Sequence, residues 1–331
     1  MIERNLGKSG ISVSAIGLGC MGLSEFYGPP AQEAEAIDLL HKAMDLGVTH
    51  FDTAEIYGQG RNEQLLGKAF AGRWDRIVLA TKFGPQRDPE TGAFSGLDGS
   101  PANVRRSCEK SLQRLGAEKI DLYYLHRVDP ATPIEETVGE MASLVQEGKI
   151  RAIGLSEASA GTIERANAVH PIAALQTEYS IFSRDIEQDI LPTCEALGIS
   201  LVAYSPLGRG MLTGRYNSPV ERPIDETDFR AQMQPRFQPR NFESNLKLVA
   251  TIKKIAGQMG CAAAQVALAW VLSRGDHVVA IPGTTRLANL QTNLGALDCR
   301  LNEKDRGILN QLAGQVHGDR YAPEEMATLN Q

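Results

Sequence analysis

The stretch THFDTAEIYGQGRNE, Thr49 to Glu63, begins as the end of an apolar strand and then sets a carboxylate, Asp52, five residues ahead of a tyrosine, Tyr57. A charge at the end of a buried strand is costly unless another group pairs with it, so a partner is required from elsewhere in the chain. The same pattern, a short apolar run followed by a longer amphipathic segment, recurs along the sequence in eight units. Its strands are expected at Ile16 to Gly19, Val48 to Asp52, Ile77 to Lys82, Asp121 to His126, Ala152 to Ser156, Ala174 to Glu178, Ser200 to Ser205 and Val278 to Pro282. Most are aliphatic without polar alternation, as parallel strands covered on their outer side are.

The intervening segments carry helix signals. In EAEAIDLLHKAMDLG, residues Ile37, Leu40 and Met44 share a face and Gly47 supplies the stop. In SPANVRRSCEKSLQRLG, Ser100 is placed to cap, Pro101 to occupy the first helical position and Gly116 to close. Eight strands each followed by a helix, without a break in composition, predict an α/β fold, a single (β/α)8 TIM barrel over residues 1–331. A short β-hairpin with its turn near Lys8 to Gly10 precedes it. One segment departs from the rhythm. Leu207 to Ser244, after the seventh strand, is a long loop rich in Gly, Pro, Arg and aromatics, placed on the C-terminal face of the barrel and read as a lid.

A formal net charge of -6 argues against nucleic acid or an anionic membrane as the main partner. The five cysteines, Cys20, Cys108, Cys194, Cys261 and Cys299, are scattered and never form a C-x-x-C pair, which suits reduced thiols in the cytoplasm and no zinc site. Neither a signal peptide nor a membrane span is expected. Oligomeric state is not legible in the pattern.

Polar residues at the C-terminal ends of successive barrel strands converge on one mouth. Here they are Asp52, Lys82 and His126, with Tyr57 on the loop after the second strand, so Lys82 is the expected partner of Asp52. A lysine beside a phenol favours phenolate and lowers its pKa, and a carboxylate behind the lysine keeps it charged. A histidine within reach can hold a carbonyl oxygen. The set moves a proton at an oxygen but has neither nucleophile nor metal, so the transferred group is expected from a cofactor.

Over nearly its whole length the chain resembles the aldo-keto reductase superfamily, through FDTAEIYG, ATK, DLYYLH, GKIRAIGLS, QTEYS, YSPLGRG and IPGTT in that order. Within the superfamily it is similar to the bacterial and plant branch related to auxin-induced-protein-like reductases, with LHR and IPGTTR. The resemblance implies Tyr57 as general acid, Lys82 and Asp52 as the groups that tune it, and His126 as the group that orients an aldehyde or ketone. It implies direct hydride transfer from a nicotinamide cofactor, with Asp52, Ser156, Gln176 and Tyr204 in cofactor roles, the ring of Tyr204 stacking on nicotinamide, and Ser205, Leu207 and Gly210 along the pyrophosphate.

After the eighth strand, GTTR opens a helix, LANLQTNLGAL, whose free N–H groups and Arg286 suit a phosphate. Gly283, Thr285 and Arg286 are assigned to the adenosine phosphate and Asn289 and Asn293 to the adenine, which favours NADPH (NADP+) over NADH. Three positions depart from the family pattern: Gly283 stands where many members have lysine, Asn289 where many have arginine, and Glu157 where an asparagine often binds the nicotinamide carboxamide.

A literal G-x-G-x-x-G, GLGCMG from Gly17 to Gly22, suggests a Rossmann site, but LSEFYGPP follows it rather than a helix start. Its glycines are read instead as letting the backbone of Gly19, Cys20 and Met21 approach the nicotinamide. Lys82 alone would also fit a Schiff-base aldolase, and a nucleotide-binding sensor subunit with little turnover is the alternative class. Met21, Phe26, Tyr27, Phe83, Phe229 and Phe237 are expected to wall the substrate pocket.

Overall fold

The computed structural model describes residues 1–329 apart from residues 89, 224 and 226. A hairpin of β1 (Glu3–Asn5) and β2 (Ser12–Ser14) comes first. Eight parallel strands follow: β3 (Leu18–Gly19), β4 (His50–Asp52), β5 (Val78–Phe83), β8 (Ile120–Leu125), β9 (Ile150–Ser156), β10 (Ile172–Glu178), β11 (Ser200–Tyr204) and β12 (Val278–Ala280). Each pairs with its neighbour in that order, and parallel bridges from Ile16 to Ala280 and from Gly19 to Gly283 close the sheet on itself. All eight expected strands are present, somewhat shifted at their ends, in a (β/α)8 barrel.

The outer helices are α1 (Glu33–Asp45), α2 (Arg61–Phe70), α3 (Pro101–Leu115), α4 (Ile134–Gln146), α5 (Ala160–Val169), α6 (Ile190–Leu197), then α7 (Phe229–Met233), α8 (Pro239–Met259), α9 (Ala263–Leu272), α10 (Leu287–Leu294), α11 (Glu303–Asn310) and α12 (Pro323–Met326). Helix α3 starts and stops as its sequence dictates: the Ser100 side chain accepts from the Asn103 N–H, and Gly116 ends it in the left-handed region at φ 62°. On α1, Leu40 and Met44 are buried and Ile37 packs half-buried against the same core.

Side chains of a strand point alternately to its two faces. Phe51, Leu79, Phe83, Tyr123, Leu125, Leu155, Leu175 and Leu201 face outward into the layer between sheet and helices. Val78, Ala80, Leu122, Tyr124, Ala152, Ala174, Val202 and Val279 face the barrel axis, where the hairpin residues Leu6, Ile11 and Val13 join them and plug the N-terminal end. Carried one step further along each strand, the inward alternation delivers Asp52, Lys82, His126, Ser156, Gln176 and Tyr204 to the opposite mouth. Gly154 makes room for this layer, since a Cβ there would stand 2.3 Å from the Tyr124 ring.

The glycine-rich strand serves closure of the barrel. A Cβ at Gly17 would lie 2.7 Å from the His50 carbonyl oxygen, and one at Gly19 would lie 2.8 Å from that of Ile281. Two expectations need correction. The long loop ends sooner than Ser244, because Pro239 at the first position starts α8. It also holds local structure, a 3-10 turn at Gly208–Thr213 and the short α7, while residues 224 and 226 lie outside the described residues. Unforeseen is a second hairpin after β5, made of β6 (Pro85–Arg87) and β7 (Phe94–Leu97).

Candidate active site

At the C-terminal mouth lies a cleft of about 1310 Å³. At its floor the Lys82 ammonium, fully buried, donates to Asp52 Oδ1 at 2.5 Å, to the Thr53 carbonyl at 2.7 Å and to Tyr57 Oη at 3.2 Å. Gln176 Nε2 donates to the other Asp52 oxygen at 2.7 Å. The carboxylate at the end of the apolar strand thus has both oxygens paired, as its burial requires.

The electrostatics follow from packing. Burial lowers the Lys82 pKa, but Asp52 and Tyr57 together outweigh it and leave it raised, so the side chain stays an ammonium. For Tyr57 burial is the largest influence and raises the phenol; Lys82 pulls it back without reversing the direction. Lys82 thus lowers Tyr57 as expected, but desolvation of the buried phenol outweighs that one cation. His126 lines the cleft edge-on to Tyr57, ring centroids 5.8 Å apart. Burial, then Lys82 and Arg127, hold its imidazole well below the ordinary value, so it is neutral at neutral pH, and its Nδ1 has no hydrogen-bond partner.

Gly19, Met21, Ser156, Tyr204, Ser205, Leu207, Gly210, Gly283, Thr285, Arg286, Asn289 and Asn293 line the same cleft, with Asp52 and Gln176. Cys20 does not: its side chain is fully buried, and its N–H is spent on the Asp52 carbonyl oxygen at 2.8 Å. Arg286 is the N-cap residue of α10, and the Thr284 hydroxyl, also at the cleft, accepts from its N–H at 3.1 Å. Met21, Phe26, Tyr27 and Phe229 form apolar walls. Phe83 and Phe237 do not, because the first stacks on Tyr123 at 4.9 Å in the outer core and the second packs against Tyr216 and Phe242.

Glu157 departs most from expectation. It is fully buried with a positive φ of 53°, and both its oxygens accept from Arg320 at 3.0 Å, with Thr177 Oγ1 and the Glu178 N–H adding to one of them. Its acceptors are thus occupied by the protein itself rather than offered to the cleft.

Arg320 leads into a C-terminal strap that the sequence did not reveal. Tyr321 reaches Tyr204, hydroxyl to hydroxyl at 3.0 Å, and Glu324, Glu325 and Thr328 border the cleft. Arg209 joins the parts of the rim, donating to the Tyr27 hydroxyl at 3.2 Å, to Glu178 at 3.2 Å and to the Tyr321 hydroxyl at 2.8 Å. Phe229 of the long loop is pinned to the loop after β3 through its N–H to the Phe26 carbonyl oxygen at 2.8 Å. Arg127, next to His126, also lines the cleft and donates to the His126 carbonyl oxygen and, at 3.4 Å, to the Ser156 hydroxyl. Only Arg127 had a signal in the sequence, its place beside a strand-end histidine.

Comparison with known proteins agrees with this geometry. The aldo/keto reductase family model matches residues 15–313. A probable aldo-keto reductase of Glycine max is 48% identical over 321 residues, 96% of this chain and 90% of the relative. Among solved structures, the glycerol dehydrogenase of Gluconobacter oxydans is 32% identical, with a TM-score of 0.84 and 97% of each chain covered. A thermostable aldo-keto reductase in complex with the inhibitor epalrestat is 33% identical with a TM-score of 0.76, covering 94% of this chain and 100% of that one. An aldo-keto reductase of Bacillus halodurans in its holo form is 28% identical with a TM-score of 0.78, covering 97% and 99%. By sequence match, fold and strand-end chemistry alike, the chain belongs to the aldo/keto reductase family, whose reaction is NAD(P)H-dependent carbonyl reduction.

Proposed function

We propose that this protein reduces aldehydes or ketones to alcohols with NADPH, using Tyr57 as general acid. The observation that carries this reading is the buried chain from Asp52 through the Lys82 ammonium to the Tyr57 hydroxyl, ending in the cleft beside the His126 ring, 5.8 Å away between centroids. When bound, the cofactor supplies the hydride. Tyr57 holds the proton for the developing alkoxide, and its raised pKa keeps that proton in place at neutral pH. Lys82 stabilises the phenolate left behind, and Asp52 with Gln176 fixes the ammonium. His126, neutral, orients the carbonyl oxygen without competing as an acid.

The residues fit a dinucleotide phosphate. Ser156, Gln176 and Tyr204 lie at the catalytic end of the cleft and Arg286, Asn289 and Asn293 at the other wall. Among the described residues no carboxylate is within ion-pair distance of Arg286, which leaves its guanidinium for a 2'-phosphate. Replacing Arg286 with alanine is expected to weaken NADPH binding about tenfold and NADH binding hardly at all; equal losses would move the phosphate site elsewhere. The apolar walls Met21, Phe26, Tyr27 and Phe229 suit a carbonyl compound with an apolar body.

The test is loss of NADPH absorbance with 4-nitrobenzaldehyde and related aldehydes, for wild type and Tyr57→Phe in parallel. Repeated turnover by wild type and a loss of about a hundredfold or more in the mutant are expected of a general acid. Binding of NADPH by both proteins with turnover by neither would favour a nucleotide sensor.

A further inference from the structure

The most informative group outside the cleft is a pair of sulfurs. Cys261, in the turn between α8 and α9, and Cys299, after the 3-10 turn Gly295–Asp298 that continues α10, place their Sγ atoms 3.8 Å apart. They are 38 residues apart in sequence, so tertiary packing alone brings them together. The packing is close: a Cβ at Gly295 would stand 2.2 Å from Gln265 Nε2 of α9. Both thiols are half-buried and so within reach of a small reagent, whereas Cys20, Cys108 and Cys194 are fully buried.

We propose that Cys261 and Cys299 are a disulfide-forming site whose oxidant is a low-molecular-weight disulfide of the glutathione type. Sulfurs 3.8 Å apart need close only to about 2 Å to bond. The exchange runs in two displacements. One protein thiolate attacks the small disulfide, forming a mixed disulfide and expelling one small thiolate. The second attacks the protein sulfur of that mixed disulfide, forming the Cys261–Cys299 bond and expelling the other. The two protein protons end on the two small thiols, and the small disulfide gains the two electrons that the protein loses. Burial, and then the neighbouring Cys261 sulfur, push the Cys299 thiol up to about 12.

The bond ties the turn carrying Ala262 to the end of the segment carrying Asn289, Thr292 and Asn293, all of which line the cleft. Oxidation therefore staples one wall of the proposed cofactor site from the outside.

Folded wild-type protein is incubated with oxidised glutathione, read by intact mass, and then alkylated for mapping of linked peptides. Wild type should become about 2 Da lighter, its thiols titratable after denaturation should fall from five to three, and the linked peptide should join Cys261 to Cys299. Dithiothreitol should restore the original mass. Cys299→Ser should stop at a glutathione adduct on Cys261, about 305 Da heavier. The proposal is overturned if folded wild type stays unmodified, carries only glutathione adducts, or links a different pair.

Discussion

The two ends of the barrel are built from the same strands and differ in nearly everything else. At the N-terminal end, Leu6, Ile11 and Val13 of the hairpin seal an interior of Val78, Ala80, Leu122, Val202 and Val279. At the C-terminal end the same inward alternation places Asp52, Lys82, His126, Ser156, Gln176 and Tyr204, and an open cleft replaces the plug. The difference teaches that the sheet only aims side chains; the chemistry of an end depends on which residue stands at the last inward position and on what covers it. The closed end supplies stability by burying apolar surface, whereas the open end holds charges together that could not be buried singly.

The largest effect is expected where that contrast is broken at the open end. Lys82→Met leaves Asp52 buried without its cation and should cost about 3–5 kcal/mol of stability. It should also suppress turnover, because Tyr57 loses the cation bonded to its hydroxyl. Denaturant unfolding together with steady-state rates would show it, and a mutant as stable and as active as wild type would remove Lys82 from both roles. At the closed end, Leu6→Ala should cost about 2–5 kcal/mol of stability with kcat/KM changed by less than about twofold. A large loss of activity there would mean that the ends are coupled.

Between the ends sits His50, fully buried one inward position below Asp52, with both ring nitrogens unpaired. Burial, ahead of the smaller influences of Asp52, Lys82 and Asp121, lowers its pKa from 6.5 to about 4. The unfolded chain takes up this proton below pH 6.5 while the folded protein resists until about pH 4, so stability is complete above pH 6.5 and falls as the pH drops through that window. The full loss amounts to about 3 kcal/mol. His50→Leu should flatten the fall; an unchanged slope would place acid sensitivity in other groups. Smallest is Tyr321→Phe at the rim. It removes the hydroxyl that meets Tyr204 and Arg209 and should cost about 1 kcal/mol, read as roughly a fivefold rise in KM with kcat preserved.

The polar cluster at the C-terminal mouth was legible in the sequence because Asp52, Lys82 and His126 each end an apolar strand, and their strands are neighbours in a barrel. The rim was not. Arg209 and Tyr321 meet at 2.8 Å from positions 112 residues apart, and Arg320 reaches Glu157 across 163. No local period announces such pairs. Phe83 and Phe237 misled for a related reason: an aromatic near a strand end or in a long loop is as fit for the core as for a pocket, and only the direction of its side chain separates the two.

What the sequence determined by itself was the order of strands and helices and the residue at each strand end, since periodicity and caps are local properties of the chain. What only the tertiary structure decided was how those groups act on one another. Burial outweighs Lys82 in setting the direction of the Tyr57 pKa. Glu157 goes to Arg320, and the C-terminal strap closes one side of the cleft. Desolvation and long-range pairing depend on everything packed around a group, and a linear pattern does not carry that information.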